Sequence, residues 1–130
     1  MANVPEDLRY TADHEYVKQS SEPGVVIVGI TDYAQSELGD IVFIKLPQIG
    51  QRFQERDVFG TIEAVKAVSD LYCPVGGEVV AVNAALDGAG AAVVNQSPYD
   101  EGWMIRLKVA NPADLDRLLD AAAYRAHIGS

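Results

Sequence analysis

A pattern written twice in the chain constrains its fold most. Gly39-Asp40-Ile41-Val42-Phe43-Ile44 and Gly77-Glu78-Val79-Val80-Ala81-Val82 share glycine, an acid, a β-branched residue and valine at an offset of 38 residues. The same offset carries Gly50 onto Gly88. Gly60-Thr61-Ile62 and Gly102-Trp103-Met104 then each open a short apolar run, 10 residues after Gly50 and 14 after Gly88. Glycine before a β-branched run is ordinary strand-entry chemistry, so the weight rests on the register shared by several landmarks. A quasi-repeat with one insertion predicts symmetric halves at about 39–65 and 77–109. The joining segment Glu63-Ala64-Val65-Lys66-Ala67-Val68-Ser69-Asp70 then puts Lys66 on a hairpin at one end of the fold. A lysine there can carry a carboxylated cofactor, because its stem adds reach and amide formation replaces the charge with a neutral link. On this segment alone, an edge-strand lysine that blocks strand pairing is the readier reading of Lys66.

The remaining sequence reads as mostly β with helical punctuation. Val25-Val26-Ile27-Val28 is a strand entered from Pro23-Gly24, and Asp40 to Leu46 is another, ended by Pro47. Thr31 or Asp32 can cap a short helix that runs through Leu38 and stops at Gly39. Toward the carboxyl end, Asn111 is an N-cap, Pro112 takes the first helical position and Asp114 adds charge to the first turn. Leu115, Leu118, Leu119 and Ala122 repeat with helical spacing, which predicts a core-facing helical segment over about 112–125. Pro47 to Gln54 and Asp87 to Gly90 read as loops, and nothing resembling a linker divides the 130 residues, so one domain over 1–130 is expected.

Ten basic against 19 acidic side chains give a net charge of −9, which disfavours nucleic acid because such a surface repels phosphate. One cysteine, Cys73, excludes an intrachain disulfide, and its place beside Pro74 and Leu71-Tyr72 favours a buried small side chain over a nucleophile. His14, His127 and Cys73 are too scattered for a zinc site. Met1 to Asp7 show neither a signal peptide nor an Arg-rich transit peptide, and no apolar run approaches the roughly 20 residues of a membrane span. A monomer in the bacterial cytoplasm is the expectation, with a processed mitochondrial matrix chain as the alternative.

The segments His14-Glu15-Tyr16-Val17, Val28-Gly29-Ile30-Thr31-Asp32-Tyr33-Ala34-Gln35, Leu38-Gly39-Asp40-Ile41-Val42-Phe43, Leu46-Pro47, the Lys66 segment, Pro74-Val75-Gly76-Gly77-Glu78-Val79, Val94-Asn95 and Ser97-Pro98-Tyr99 run in one order along the chain. In that order they resemble the glycine cleavage system H proteins. The sequence departs from the family pattern locally: Ala64 stands where serine or threonine is frequent, Asp87 to Ala92 lack a frequent proline, and Asp100 replaces a frequent glycine. In biotin carriers the modified lysine is typically flanked by methionines. Val65 and Ala67 here favour lipoyl over biotinyl.

The resemblance implies a lipoyl/biotinyl-type barrel-sandwich hybrid with short flanking helices, and lipoic acid attached to Lys66. It implies a non-catalytic carrier that takes the aminomethyl group of glycine from a pyridoxal-phosphate glycine decarboxylase to a tetrahydrofolate-dependent aminomethyltransferase. Dihydrolipoyl dehydrogenase, with FAD and NAD, would then reoxidise the arm, and a lipoylating enzyme would install it. The alternative is a lipoyl relay protein serving 2-oxoacid dehydrogenase complexes. An aminomethyl thioether is lost to water only through its neutral amine, so a nearby carboxylate and a cleft that excludes water protect it. Positions matching the family place Glu15 and Asp70 as the carboxylates of that docking cleft, against ordinary surface solvation or turn capping.

Overall fold

In the computed structural model, residues 3–129 are described. Met1 and Ala2, with which the amino-terminal reading began, and Ser130 lie outside them. Strands β1 (Arg9–Tyr10), β2 (Glu15–Gln19), β3 (Val25–Ile30), β4 (Ile41–Lys45), β5 (Arg52–Phe53), β6 (Val58–Ala64), β7 (Val68–Tyr72), β8 (Gly77–Val82) and β9 (Ile105–Val109) pair into two antiparallel sheets. One sheet has the order β1-β2-β3-β9-β8-β5, the other β4-β6-β7, and neither closes on itself.

Burial alternates along β9, as expected of a sheet with one face in the core, whereas β3 is buried at almost every position. Val26, Val28, Leu107 and Val79 of the larger sheet meet Ile44, Phe59, Ile62 and Leu71 of the smaller one in a single apolar cluster. Side chains buried this completely contribute roughly 1.5–3 kcal/mol each, so this cluster sets the sandwich. A second cluster, built from Leu8, Tyr10, Tyr16, Ala121 and Tyr124, seals the outer edge, with the Tyr10 and Tyr124 rings stacked at 4.6 Å between centroids.

The repeat has a structural echo in the ladders. Register shifts fall between Ile41 and Phe43 in β4 and between Val79 and Ala81 in β8, at the same 38-residue offset, although the two strands lie in different sheets. A third lies between Val58 and Gly60. Gly60 itself is inside β6 and opens nothing. It is there because β4 passes so closely: a Cβ on Gly60 would stand 2.3 Å from the Lys45 carbonyl oxygen. Gly60→Ala is therefore expected to lower stability by roughly 1–3 kcal/mol, read as a lower denaturation midpoint at unchanged secondary structure.

Helix α1 (Asp32–Leu38) follows the sequence expectation. The Thr31 hydroxyl oxygen accepts from the Ala34 N–H at 3.2 Å, and Gly39 ends the helix at φ 78°, a conformation open to glycine. A second short helix, α2 (Val93–Gln96), packs near it.

The carboxyl-terminal leucine stripe is not one helical face. Asn111 caps a 3₁₀ turn over Pro112–Arg117, after which Leu118 turns extended at ψ 157°. Leu119 then exchanges two backbone hydrogen bonds of 2.8 Å with Tyr10. Asp120 starts a separate helix, α3 (Ala121–Ile128), by accepting from the Ala123 N–H at 2.8 Å. Leu115 and Leu118 consequently join the main cluster, Leu119 the second, and Ala122 is exposed. The spacing matched a helix because leucines serving two cores happened to fall three and four residues apart, while pairing with Tyr10 and the Asp120 cap decided the backbone. Two expected loops are also partly ordered: β5 lies within 47–54, and Asp87 leads into a 3₁₀ turn over Gly88–Ala92. No helix among the described residues is long and apolar enough to cross a membrane.

Candidate functional site

Lys66 sits at the tip of the β6–β7 hairpin. The Ala64 N–H donates to the Ala67 carbonyl at 2.8 Å, which closes the turn and leaves Val65, Lys66 and Ala67 exposed. The tip is tied down rather than loose, because the Val65 N–H donates to the Asp40 carbonyl at 3.0 Å. Asn95 fixes that contact from behind. Its amide donates to the Gly39 carbonyl and the Gln35 side chain, each at 2.9 Å, while its oxygen accepts from the Ile41 N–H at 2.9 Å. Gly39 lets the lysine stem lie close, since a Cβ there would be 3.3 Å from Lys66 Cε.

Beyond the hairpin, β7 leads to a cleft of about 240 Å³ between the two sheets and α1. Ile30, Leu38, Ile62 and Leu71 give it an apolar floor. Asp13, His14, Glu15, Tyr33, Glu37 and Asp70 supply the polar groups. Glu15 and Asp70, which are distant in sequence, thus line one cleft. Lys66 does not line it, but it stands four positions before Asp70, out of the turn and into β7, a span of at most roughly 14 Å. A lysine stem extended by a lipoyl chain is of comparable length.

Glu15 is not a surface carboxylate. It is 2% exposed, its Oε1 accepts from the Thr11 hydroxyl at 2.8 Å, and its Oε2 accepts from the Tyr72 N–H at 3.4 Å. Burial pushes its carboxyl up to about 8, against the opposing pull of those two hydrogen bonds. Burial thus favours the protonated carboxyl. Asp70, by contrast, is exposed at the rim. Cys73 is buried, donates to the Val75 carbonyl at 3.2 Å, and is pushed up to about 12 by burial. A thiol held in that state is no nucleophile at neutral pH. Among the described residues, no group of three or more His, Cys, Asp or Glu is placed to hold a metal ion.

The chain matches the glycine cleavage H-protein family over residues 8–130. It belongs to that family. It is 54% identical over 127 residues to the glycine cleavage system H protein of Chlorobium limicola, covering 98% of each chain. To the protein of that name from Opitutus terrae it is 55% identical over 129 residues, with 99% of this chain and 100% of the relative covered. The crystal structure of a glycine cleavage system H protein from Mycobacterium marinum superposes with a TM-score of 0.87 at 35% identity, over 98% of this chain and 100% of that one. The barrel-sandwich hybrid expected from the sequence is therefore the fold observed, built here as two open sheets over one core.

Sequence reasoning missed three supports of the site. Asn95 is, in the sequence, only part of the Val94-Asn95 match, although an amide with four hydrogen-bonding positions is a device for tying loops together. Thr11, four residues before Glu15, had no signal of its own. Tyr124 was hidden in the supposed continuous helix.

Proposed function

We propose that the chain is the lipoyl carrier of the glycine cleavage system, with the lipoyl group in amide linkage to Lys66. The observation that carries this reading is an exposed hairpin lysine four positions from the rim of a cleft whose wall holds a buried carboxyl. The residues present fit such a group: the lysine amine is open to a lipoylating enzyme, and the apolar floor suits an acyl chain. When bound, the lipoyl group supplies the sulfur chemistry that takes up and releases the aminomethyl unit.

The work of the chain is placement and protection. The hairpin presents Lys66 to the decarboxylase, the aminomethyltransferase and dihydrolipoyl dehydrogenase in turn, and no residue of the chain catalyses a step. Between visits Glu15 and Asp70 receive the amine end in the cleft. Burial favours the neutral form of Glu15 while no amine is docked. A cationic amine within a few ångströms lowers its carboxyl, so docking ionises Glu15 and the resulting pair keeps the amine protonated. Ile30, Ile62 and Leu71 keep bulk water away. The acidic surface, −9 overall, suits brief and oriented encounters in the bacterial cytoplasm. Residues 1–130 act as one carrier domain, a monomer in this account, with Tyr10 and α3 closing its edge.

The lipoylated chain is expected to support glycine-dependent CO₂ exchange with a glycine decarboxylase from the same source. Failure there, together with acceptance of acyl groups from a 2-oxoacid dehydrogenase, would replace the carrier reading with that of a lipoyl relay.

A further inference from the structure

The wall of the cleft is continuous with α3 through one hydroxyl. Tyr124, fully buried, places its oxygen 2.7 Å from the Thr31 hydroxyl and 2.9 Å from His14 Nδ1. Thr31 is also fully buried, and its oxygen already accepts from the Ala34 N–H at the start of α1. Those contacts fix the direction of the chain. If His14 Nδ1 carried a proton it would donate to Tyr124, Tyr124 would donate to Thr31, and the Thr31 hydroxyl proton would have no acceptor. A buried donor left unpaired is costly. The satisfied arrangement runs the other way: Thr31 donates to Tyr124, and Tyr124 donates to a bare Nδ1, which leaves His14 neutral with its proton on Nε2.

His14 is held here against its own backbone preference. Its φ of 72° is in the left-handed region, in the turn closed by the His14 N–H donating to the Thr11 carbonyl at 3.1 Å. Its ring lies 5.0 Å from that of Tyr33 and 5.6 Å from that of His127, measured between centroids. His127 in turn contacts the Ala12 carbonyl through Nε2 at 3.0 Å, keeping α3 against the same turn.

We propose that Tyr124 is a positioning residue of the docking cleft, acting through His14: the Thr31–Tyr124–His14 relay keeps the imidazole uncharged and oriented beside Glu15, so that the wall does not repel a cationic amine. The loaded-arm half of this inference rests on the carrier reading above. The groups facing His14 are His127 and Tyr124 from α3, Tyr33 and Glu37 from α1, and Asp13 and Glu15 from its own turn, with Asp70 across the cleft. Burial and His127 lower the imidazole and Asp13 and Glu37 raise it, the net effect being downward. The relay adds to the lowering by stabilising the neutral ring alone.

The test uses the full lipoylated chain. Nitrogen NMR of the parent should find neutral His14 protonated on Nε2 and bare on Nδ1, and a proton on Nδ1 would overturn the relay without any substitution. In Tyr124→Phe the His14 titration midpoint should rise by about one pH unit, whereas Thr31→Ser, which keeps the hydroxyl, should retain the parental midpoint. An unchanged midpoint in Tyr124→Phe, or an equal rise in both variants, would overturn the proposal. In protein loaded from glycine, formaldehyde release by Tyr124→Phe relative to the parent should be several-fold faster near pH 6 and approach parity above pH 8. A ratio that does not vary with pH would refute the positioning role. If the parent cannot be loaded at all, the carrier reading fails, and the His14 tautomer and titration still decide the relay.

Discussion

Lys66→Arg is expected to fold as the parent does and to carry nothing. Arginine keeps the positive charge and the reach, but its guanidinium does not form the lipoyl amide. The fold has little stake in the side chain: Lys66 is exposed, and the hairpin is closed by the backbone bonds from Ala64 to Ala67 and from Val65 to Asp40. The unfolding free energy should therefore change by no more than the roughly 0.5 kcal/mol usual for surface substitutions. Lipoylation and glycine-dependent exchange should both fall to background. A variant that remains lipoylated would move the attachment site elsewhere. A variant that unfolds would show that the lysine stem lying along Gly39 is structural.

Glu15→Gln is expected to make the chain more stable and a worse carrier, with both effects depending on pH. The carboxyl has an ordinary value of 4.5 and is pushed up to about 8 by burial in the fold. Its folded-state value is the higher one, so the folded chain holds this proton where the unfolded chain has lost it. The group's favourable contribution is complete below pH 4.5, declines as pH rises toward about 8, and is gone above that. At about 1.4 kcal/mol per pH unit, this window amounts to at most about 5 kcal/mol. Glutamine can stand in for the neutral acid: its oxygen can accept from the Tyr72 N–H, and its amide, like the acid's O–H, can donate to the Thr11 oxygen once that hydroxyl turns its proton away. Parent and variant should therefore be similar near pH 5. By pH 8 to 9 the variant should be the more stable by roughly 2–4 kcal/mol, seen in denaturant titrations at several pH values. The loaded arm should behave oppositely. With no carboxylate to ionise against the amine, formaldehyde release should quicken by an amount corresponding to about 1–3 kcal/mol. Equal stability at all pH values would mean that Glu15 is solvated in solution, and equal release would pass the protective role to Asp70.

Local signals with one physical cause were legible in the sequence. Thr31 and Gly39 bound α1 as expected, because a cap and a left-handed stop depend on a few adjacent atoms. The lysine hairpin was legible because the repeat put its joint at Lys66, and Cys73 because an apolar setting buries a small side chain. What could not be read depended on contacts across the chain. Nothing near Leu118 and Leu119 says that Tyr10 will take the backbone into an extended pair, so a helical spacing was followed where two short elements form. Glu15 could be matched to a family position, yet its charge state is set by Thr11, Tyr72 and the closed sandwich around it. Charge is a property of burial, and burial is a property of the whole fold. Asn95 and Tyr124 escaped for the same reason, since each joins segments more than 50 residues apart.

If glycine's aminomethyl unit travels on an arm attached to Lys66, peptide mapping by mass spectrometry will find both the arm and its load there. The chain would be lipoylated and digested, both before and after incubation with glycine and the pyridoxal-phosphate decarboxylase. A lipoyl group is expected on the peptide containing Lys66 and on no peptide carrying Lys18, Lys45 or Lys108, with the aminomethyl increment appearing on the Lys66 peptide only after glycine is added. A lipoyl group on another lysine with Lys66 free, or a lipoylated Lys66 that gains nothing from glycine, would contradict it.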